Sequence, residues 1–479
     1  MSRVQQQELH SLLELPRPTS QDINDDILGQ TVEVGPQFKR AVGGLGIIVA
    51  LGVAGFILKA TNGFDDRTDW GYYAAVFAFL FTTCQGALLV SITMRMAKTH
   101  WRRPLARVSE LFAIVGFFNL LVFLPLLWTI PTADERQSIW FEWPWGAPRV
   151  MDALAMIFLV INGLALLWAS SIPDLALYGK RYGGTRGAIA RFLSTGWNGT
   201  PIQWKILKAG QGILGGLYFV FLIGVHFMLS SDFAMSMVPG WVDAIFPAFQ
   251  ALAGLQSAVA TTMVALYLVR RFGGHDQYIY MEPFWALSKI LIGLTLLWFY
   301  FWFAGFITFW YGRKPVEINV LQLLMIGPYR VAFYLAIFLT FVVPFLILMW
   351  NWVRRTPGGP ALASAVILVG TFMDKIRLYV GAYSFTDQEL TEAFHHESAF
   401  VDEVLPATGP LIPSFFQTNW PDGSDILVIA GGLAMPFFIY LLATKFIPVI
   451  SLWETKEGYL LSSVKTVLRR RYLVLAKPD

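Results

Sequence analysis

The chain has a single cysteine, Cys84, in 479 residues. That excludes an internal disulfide and an iron–sulfur cluster held by cysteines of this chain. Histidine is nearly as scarce: His10, His100, His226, His275, His395 and His396. Only His226 falls clearly within an apolar stretch, whereas a bis-histidine haem site needs paired histidines inside the membrane. No haem is therefore expected, and the adjacent His395 and His396 alone are a weak metal signal. No P-loop, dinucleotide fingerprint or metalloprotease motif stands in a suitable context. Charge is sparse, 14% of residues with a net of +4, and gives no footprint for nucleic acid. The N-terminal MSRVQQQELHSLLELPRPTSQD lacks an apolar h-region, so a cleavable signal peptide is not expected.

What the chain has in abundance is apolar surface. Hydrophobic residues make up 56% and aromatics 15%, with 18 Trp, against roughly 45–50% apolar in soluble domains. A membrane-crossing helix needs about 20 apolar residues. Such stretches stand near 41–59, 71–94, 108–130, 152–172, 209–229, 242–269, 284–310, 330–353, 361–384 and 426–447. The fold expected is all-α, a polytopic transmembrane bundle of about ten helices over residues 41–447. A polar tail, 1–40, precedes it. A basic amphipathic tail, 448–479, follows, and its KTVLRRRYLVL suits a membrane surface.

Lys and Arg in short loops set orientation. They gather between spans 2 and 3 (Arg95, Lys98, Arg102, Arg103, Arg107) and between spans 4 and 5 (Lys180, Arg181, Arg186, Arg191, Lys205, Lys208). They recur after span 6 (Arg270, Arg271), after span 8 (Arg354, Arg355) and in the C-tail. The turn SSDFAMSMVPGW has none, and the long loop 385–425 carries acidic residues but no Lys or Arg. Both termini are therefore expected in the cytoplasm, in a bacterial plasma (inner) membrane, with 385–425 outside. Loops beyond about 12–15 residues are usually functional or disordered. This one reads as a docking surface for a peripheral subunit, with plain surface cover as the alternative.

Ionisable groups inside spans become the candidates, because a charge in hydrocarbon costs roughly 2.5–3.5 kcal/mol on insertion scales. His226 and Asp232 are six residues apart near the outer end of span 5, about 9 Å along a helix. Together they could take protons from a quinol or pass them outward; alternatively, Asp232 caps the segment that follows. Asp152 and Asp174 bracket span 4, about 33 Å apart, with Asn162 midway, a spacing that suits a proton path or two helix caps. Glu110 opens span 3. Glu282 and Lys289 share one face of span 7. Asp374, Lys375 and Arg377 lie inside span 9, as a local ion pair or as a polar network in the bundle interior.

Several segments carry a resemblance: WGYYAAVFAFL, WTIPTADERQSIWFEWP, SSIPDLAL, VHFMLSSDFAMSMVPGWVDAIFPAF, ALSKILIGL and FMDKIRLYV. The chain resembles the polysulfide-reductase membrane subunits (NrfD/PsrC-like), and within them the ten-helix ActC subunit of alternative complex III. The resemblance implies a haem-free, quinone- and quinol-interacting anchor (menaquinone or ubiquinone) in a respiratory or photosynthetic electron-transfer complex. It implies an iron–sulfur subunit on the outer face, with cytochrome c subunits and a second NrfD-like membrane subunit as further partners. Glu110, Asp152, Asp174, His226, Asp232 and Lys289 fall on motif positions; Asp374 and Lys375 stand where the family has Glu-Arg. In span 2 the family carries a quinol-pocket histidine, but here the stretch reads TTCQGALLVS. Gln85 can hydrogen-bond a quinone carbonyl but cannot accept a proton as imidazole does. The expectation is a subunit catalytically silent alone, with His226, Asp232 and Asp152 at the quinol site beside Gln85. Glu110, Asn162, Asp174, Glu282, Lys289, Asp374, Lys375 and Arg377 would supply proton paths. A quinone-independent anchor and a secondary transporter are the alternatives.

Overall fold

The computed structural model describes residues 18–131, 146–385, 418–467 and 470–475. Most of the acidic loop 385–425, and most of the stretch from Trp128 to Pro144, lie outside them.

The first helix, α1 (Ser20–Val32), falls in what reads as a polar tail. A capping box starts it: Thr19 and Asp22 exchange side-chain-to-backbone hydrogen bonds. Ile23, Ile27 and Leu28, at helical spacing, are buried. The chain then runs through α2 (Pro36–Thr61), α3 (Arg67–Met96), α4 (His100–Trp128), α5 (Arg149–Arg181), α6 (Gly184–Leu193) and α7 (Pro201–Met237). It continues through α8 (Phe246–Phe272), α9 (Met281–Gly312), α10 (Glu317–Ile326), α11 (Arg330–Leu348) and α12 (Asn351–Arg354). Next come α13 (Gly358–Lys375), α14 (Gly423–Ala443) and α15 (Leu452–Leu460). Strands β1 (Ser462–Val467) and β2 (Arg470–Leu475) form an antiparallel hairpin, so the basic tail is partly β.

Among the described residues nine helices are long and apolar enough to cross a membrane. The tenth expected span is α13, prolonged by a π turn over Ile376–Val380. Asp374 and Lys375 end it, and Arg377 stands in the π turn. The fold is an all-α polytopic bundle.

Helices α3, α4, α5 and α7 pack in a ring of four, and α8, α9, α11 and α13 form a second ring. Helix α3 joins them, packing on both α8 and α13, which is why its apolar stretch is almost wholly buried. Helices α2 and α14 pair alongside. They approach closely at Gly52 and Gly431, where a Cβ on Gly52 would lie 2.5 Å from Gly431 Cα; small residues permit such contacts. Among the described residues four π turns interrupt the helices, including Phe81–Gln85 within α3 and Ile376–Val380 after α13. Such bulges recur at functional sites.

Candidate functional site

The second ring opens between α8, α9, α10 and the π turn after α13. The cleft is narrow, a cavity of about 50 Å³, below the 300–1,000 Å³ range of ordinary small-molecule pockets. Its walls are aromatic: Trp241, Phe249, Phe301, Trp302, Phe306 and Phe309. Two charged side chains line it, Asp243 and Arg377. Asp243 precedes α8, and its Oδ1 accepts the N–H groups of Ile245 (2.8 Å) and Phe246 (3.2 Å). Its Oδ2 faces Gly305, where a Cβ would lie 3.7 Å away. Burial raises the Asp243 carboxyl above the usual range, and Glu317 adds to the rise, against the two backbone hydrogen bonds. Arg377 stands in the π turn that follows α13 and lines the cleft. Its guanidinium bonds Asp374 Oδ1 (2.8 and 2.9 Å) and lies over the Phe333 ring.

From this cleft a buried polar chain leads inward. Lys375, next to Asp374, donates to Gln250 Oε1 at 2.5 Å. Gln250 is one turn from Gly254 on α8, and Gly254 packs on His226. A Cβ at 254 would lie 2.6 Å from His226 Nε2, so only glycine fits there. His226 Nδ1 lies 2.8 Å from the Leu222 carbonyl and must donate to it. The neutral ring then keeps its lone pair on Nε2, which is buried with no hydrogen-bond partner. Phe81, which starts the α3 π turn, packs on the imidazole with ring centroids 4.3 Å apart.

Gln85 ends that same π turn. Its Oε1 accepts from Asn119 Nδ2 (2.9 Å), its Nε2 lies 3.6 Å from Met156 Sδ, and Tyr218 O–H donates to its carbonyl (2.8 Å). The amide is held inside the first ring. Asp152, one turn before Met156, is fully buried, as is Asp232. Asp232 belongs to the body of α7, whose α-helical part runs to Phe233. It does not N-cap the short turn that follows, whose cap is Ala234.

A second constellation lies at the opposite end of the first ring. Arg95 bridges Glu110 (2.9 Å) and Glu454 (2.8 Å), and Arg107 bridges Glu110 (3.4 Å) and Asp174 (3.1 Å). Ser170 O–H donates to Glu110 Oε2 at 2.6 Å, and Trp453 N–H donates to Asp174 Oδ1 at 3.2 Å. Glu110, Asp174, Arg107 and Glu454 are all at most 1% exposed. Three carboxylates thus meet two guanidinium groups, an arrangement able to hold a proton. Asn162, midway along α5, donates to the Leu214 carbonyl at 3.2 Å.

Glu282 and Lys289 do not meet. Glu282 pairs with His100 at 2.7 Å. Lys289 faces outward, its ammonium 3.4 Å above the Trp285 ring, rather than into the bundle.

Asp243, Gln250, Arg95, Arg107 and Glu454 escape the sequence reading. Arg107 had one available signal, its position three residues before Glu110. Arg95 and Arg107 otherwise read as loop charges that set orientation.

Compared with models of known protein families and with curated proteins, the chain matches none.

Proposed function

We propose that this chain is the quinone-interacting membrane subunit of an electron-transfer complex. It would exchange electrons between quinol and an iron–sulfur partner on its outer face while offering proton paths. The observation that carries the reading is the aromatic cleft with Asp243 at one position on its wall and Arg377 at another. Flat aromatic walls suit a planar ring, and the guanidinium suits a ring oxygen. A quinol bound there would supply two electrons and two protons. Asp243 Oδ2 is the group placed to take a proton, since a carboxyl raised towards neutral pH is better matched to that task. Arg377, Asp374, Lys375 and Gln250 extend polarity from the cleft towards His226 Nε2. By the Lys/Arg asymmetry this cleft belongs to the outer half, where an iron–sulfur partner would dock. Cytochrome c subunits and a second membrane subunit of the same kind complete the proposed assembly.

Asp243→Asn tests the reading. Asparagine keeps the oxygen that receives Ile245 and Phe246 N–H but cannot take a proton. Quinol-linked turnover of the assembled complex should fall about 10²-fold or more, the usual cost of losing a positioned base. Turnover equal to wild type in an intact complex would remove Asp243, and this cleft, from the reaction.

The quinone-independent anchor is the second reading. It is favoured by Gln85, whose amide is engaged by Asn119 and Met156 where the resembled family places its quinol histidine.

A further inference from the structure

Among the described residues, a group of cations beside the start of α9 forms no ion pair with an acid. Arg354 and Arg355 end α12 and the turn after it, half buried, each with its Nε buried and without an acceptor. A buried donor left unpaired costs roughly 1–3 kcal/mol, more when charged. Helix α12 packs against α9, and α11 returns the chain to the end from which α9 starts. On that part of α9, Lys289 points outward over Trp285, whose Nε1 is likewise without an acceptor. The start of α9 also packs on the first turn of α4, where Arg102 Nε lacks an acceptor too.

Acidic residues facing this group are few. Between Glu282 and Asp374 the sequence holds one, Glu317, and it belongs to α10, at the other end of α9. Glu282 itself is engaged by His100. Arg103 of α4 is engaged by Glu457. The surroundings are those of a lipid. Trp350 and Trp352 are exposed beside the two arginines, and Leu346 and Met349 continue an exposed apolar strip up α11.

We propose that the face shared by α12 and the start of α9 binds the headgroup of an anionic phospholipid. Arg354 and Arg355 would hold its phosphate, Lys289 would reach the same headgroup from α9, and acyl chains would lie along Leu346 and Met349. Basic pockets between transmembrane helices bind such headgroups, and long cationic side chains reach the interface while their stems stay in hydrocarbon. The inference does not depend on quinone binding.

The test is native mass spectrometry of the complex purified in nonionic detergent and titrated with phosphatidylglycerol or phosphatidylcholine. Wild type should bind phosphatidylglycerol at least ten-fold more tightly. The Arg354→Gln/Arg355→Gln variant should lose that preference, and Lys289→Gln should reduce it several-fold, with melting temperatures unchanged. Inorganic phosphate at millimolar concentration should not displace the lipid. Equal affinity of wild type for the two lipids would overturn the proposal whether or not the double variant folds. So would a folded double variant that keeps the preference, or full displacement by phosphate, which would mark a simple anion site.

Discussion

At the residue scale, partners decide what each ionisable group can do. Arg107 holds both Glu110 and Asp174 and bonds the Ser171 hydroxyl and the Ser170 carbonyl. Removing one member of a buried ion network leaves an uncompensated charge, worth about 3–5 kcal/mol. Arg107→Met should therefore destabilise the protein by that amount, measured by denaturant unfolding in mixed micelles. An unchanged midpoint would mean the two carboxylates are neutral in the folded protein. Single charged residues within apolar stretches were legible in the sequence, because hydrocarbon makes them conspicuous. Their partners were not. Asp374–Arg377 follows from helical spacing, but Lys375–Gln250 joins residues 125 apart in the chain, and nothing local announces it. Lys289 shows the converse: depth along a span does not say which way a side chain points.

At the element scale, α1 ties the chain's N-terminal part to three separated segments. Asp25 pairs with Arg181, Asp26 accepts from Gln277 and from Tyr278 O–H, and Lys445 donates to the carbonyls of Gln30 and Glu33. His275 is buried under this contact. Burial pushes its imidazole down to about 4, with Asp26 and Asp276 opposing and Lys445 assisting. Between its ordinary 6.5 and about 4, the unfolded chain binds a proton that the folded protein refuses. Stability therefore falls as pH drops through that window, by up to about 1.4 kcal/mol per unit from this group. Melting temperatures at pH 7 and pH 5 should show a larger drop for wild type than for His275→Gln. Identical drops would mean that His275 protonates in place. The helical spans were legible because about 20 apolar residues leave little choice but a helix. The π turns were not, since a five-residue widening such as Phe81–Gln85 leaves no mark on hydrophobic period. Helix α1 was missed because only its Ile23, Ile27 and Leu28 are apolar at helical spacing, in an otherwise polar run.

At the scale of the whole molecule, α3 of the first ring packs on α8 and α13 of the second, and the cleft and the buried ion network lie at opposite ends. The orientation proposed from the Lys/Arg asymmetry would put the cleft outside and the network at the cytoplasmic face. A cysteine at Val242, exposed in the turn between α7 and α8, should react with an impermeant maleimide in intact cells. One at Gly183, between α5 and α6, should react only after permeabilisation. The opposite pattern would invert every assignment of inside and outside. The grouping into rings follows from packing between helices far apart in sequence, which no local pattern specifies.

Photolabelling checks whether the aromatic cleft receives a quinone ring. Purified complex irradiated with an azidoquinone should carry the label on peptides containing Trp241–Phe249 or Phe301–Phe309, and excess quinone should suppress it. Labelling confined to other parts of the chain, or labelling that excess quinone leaves unchanged, would mean that this cleft does not receive the ring.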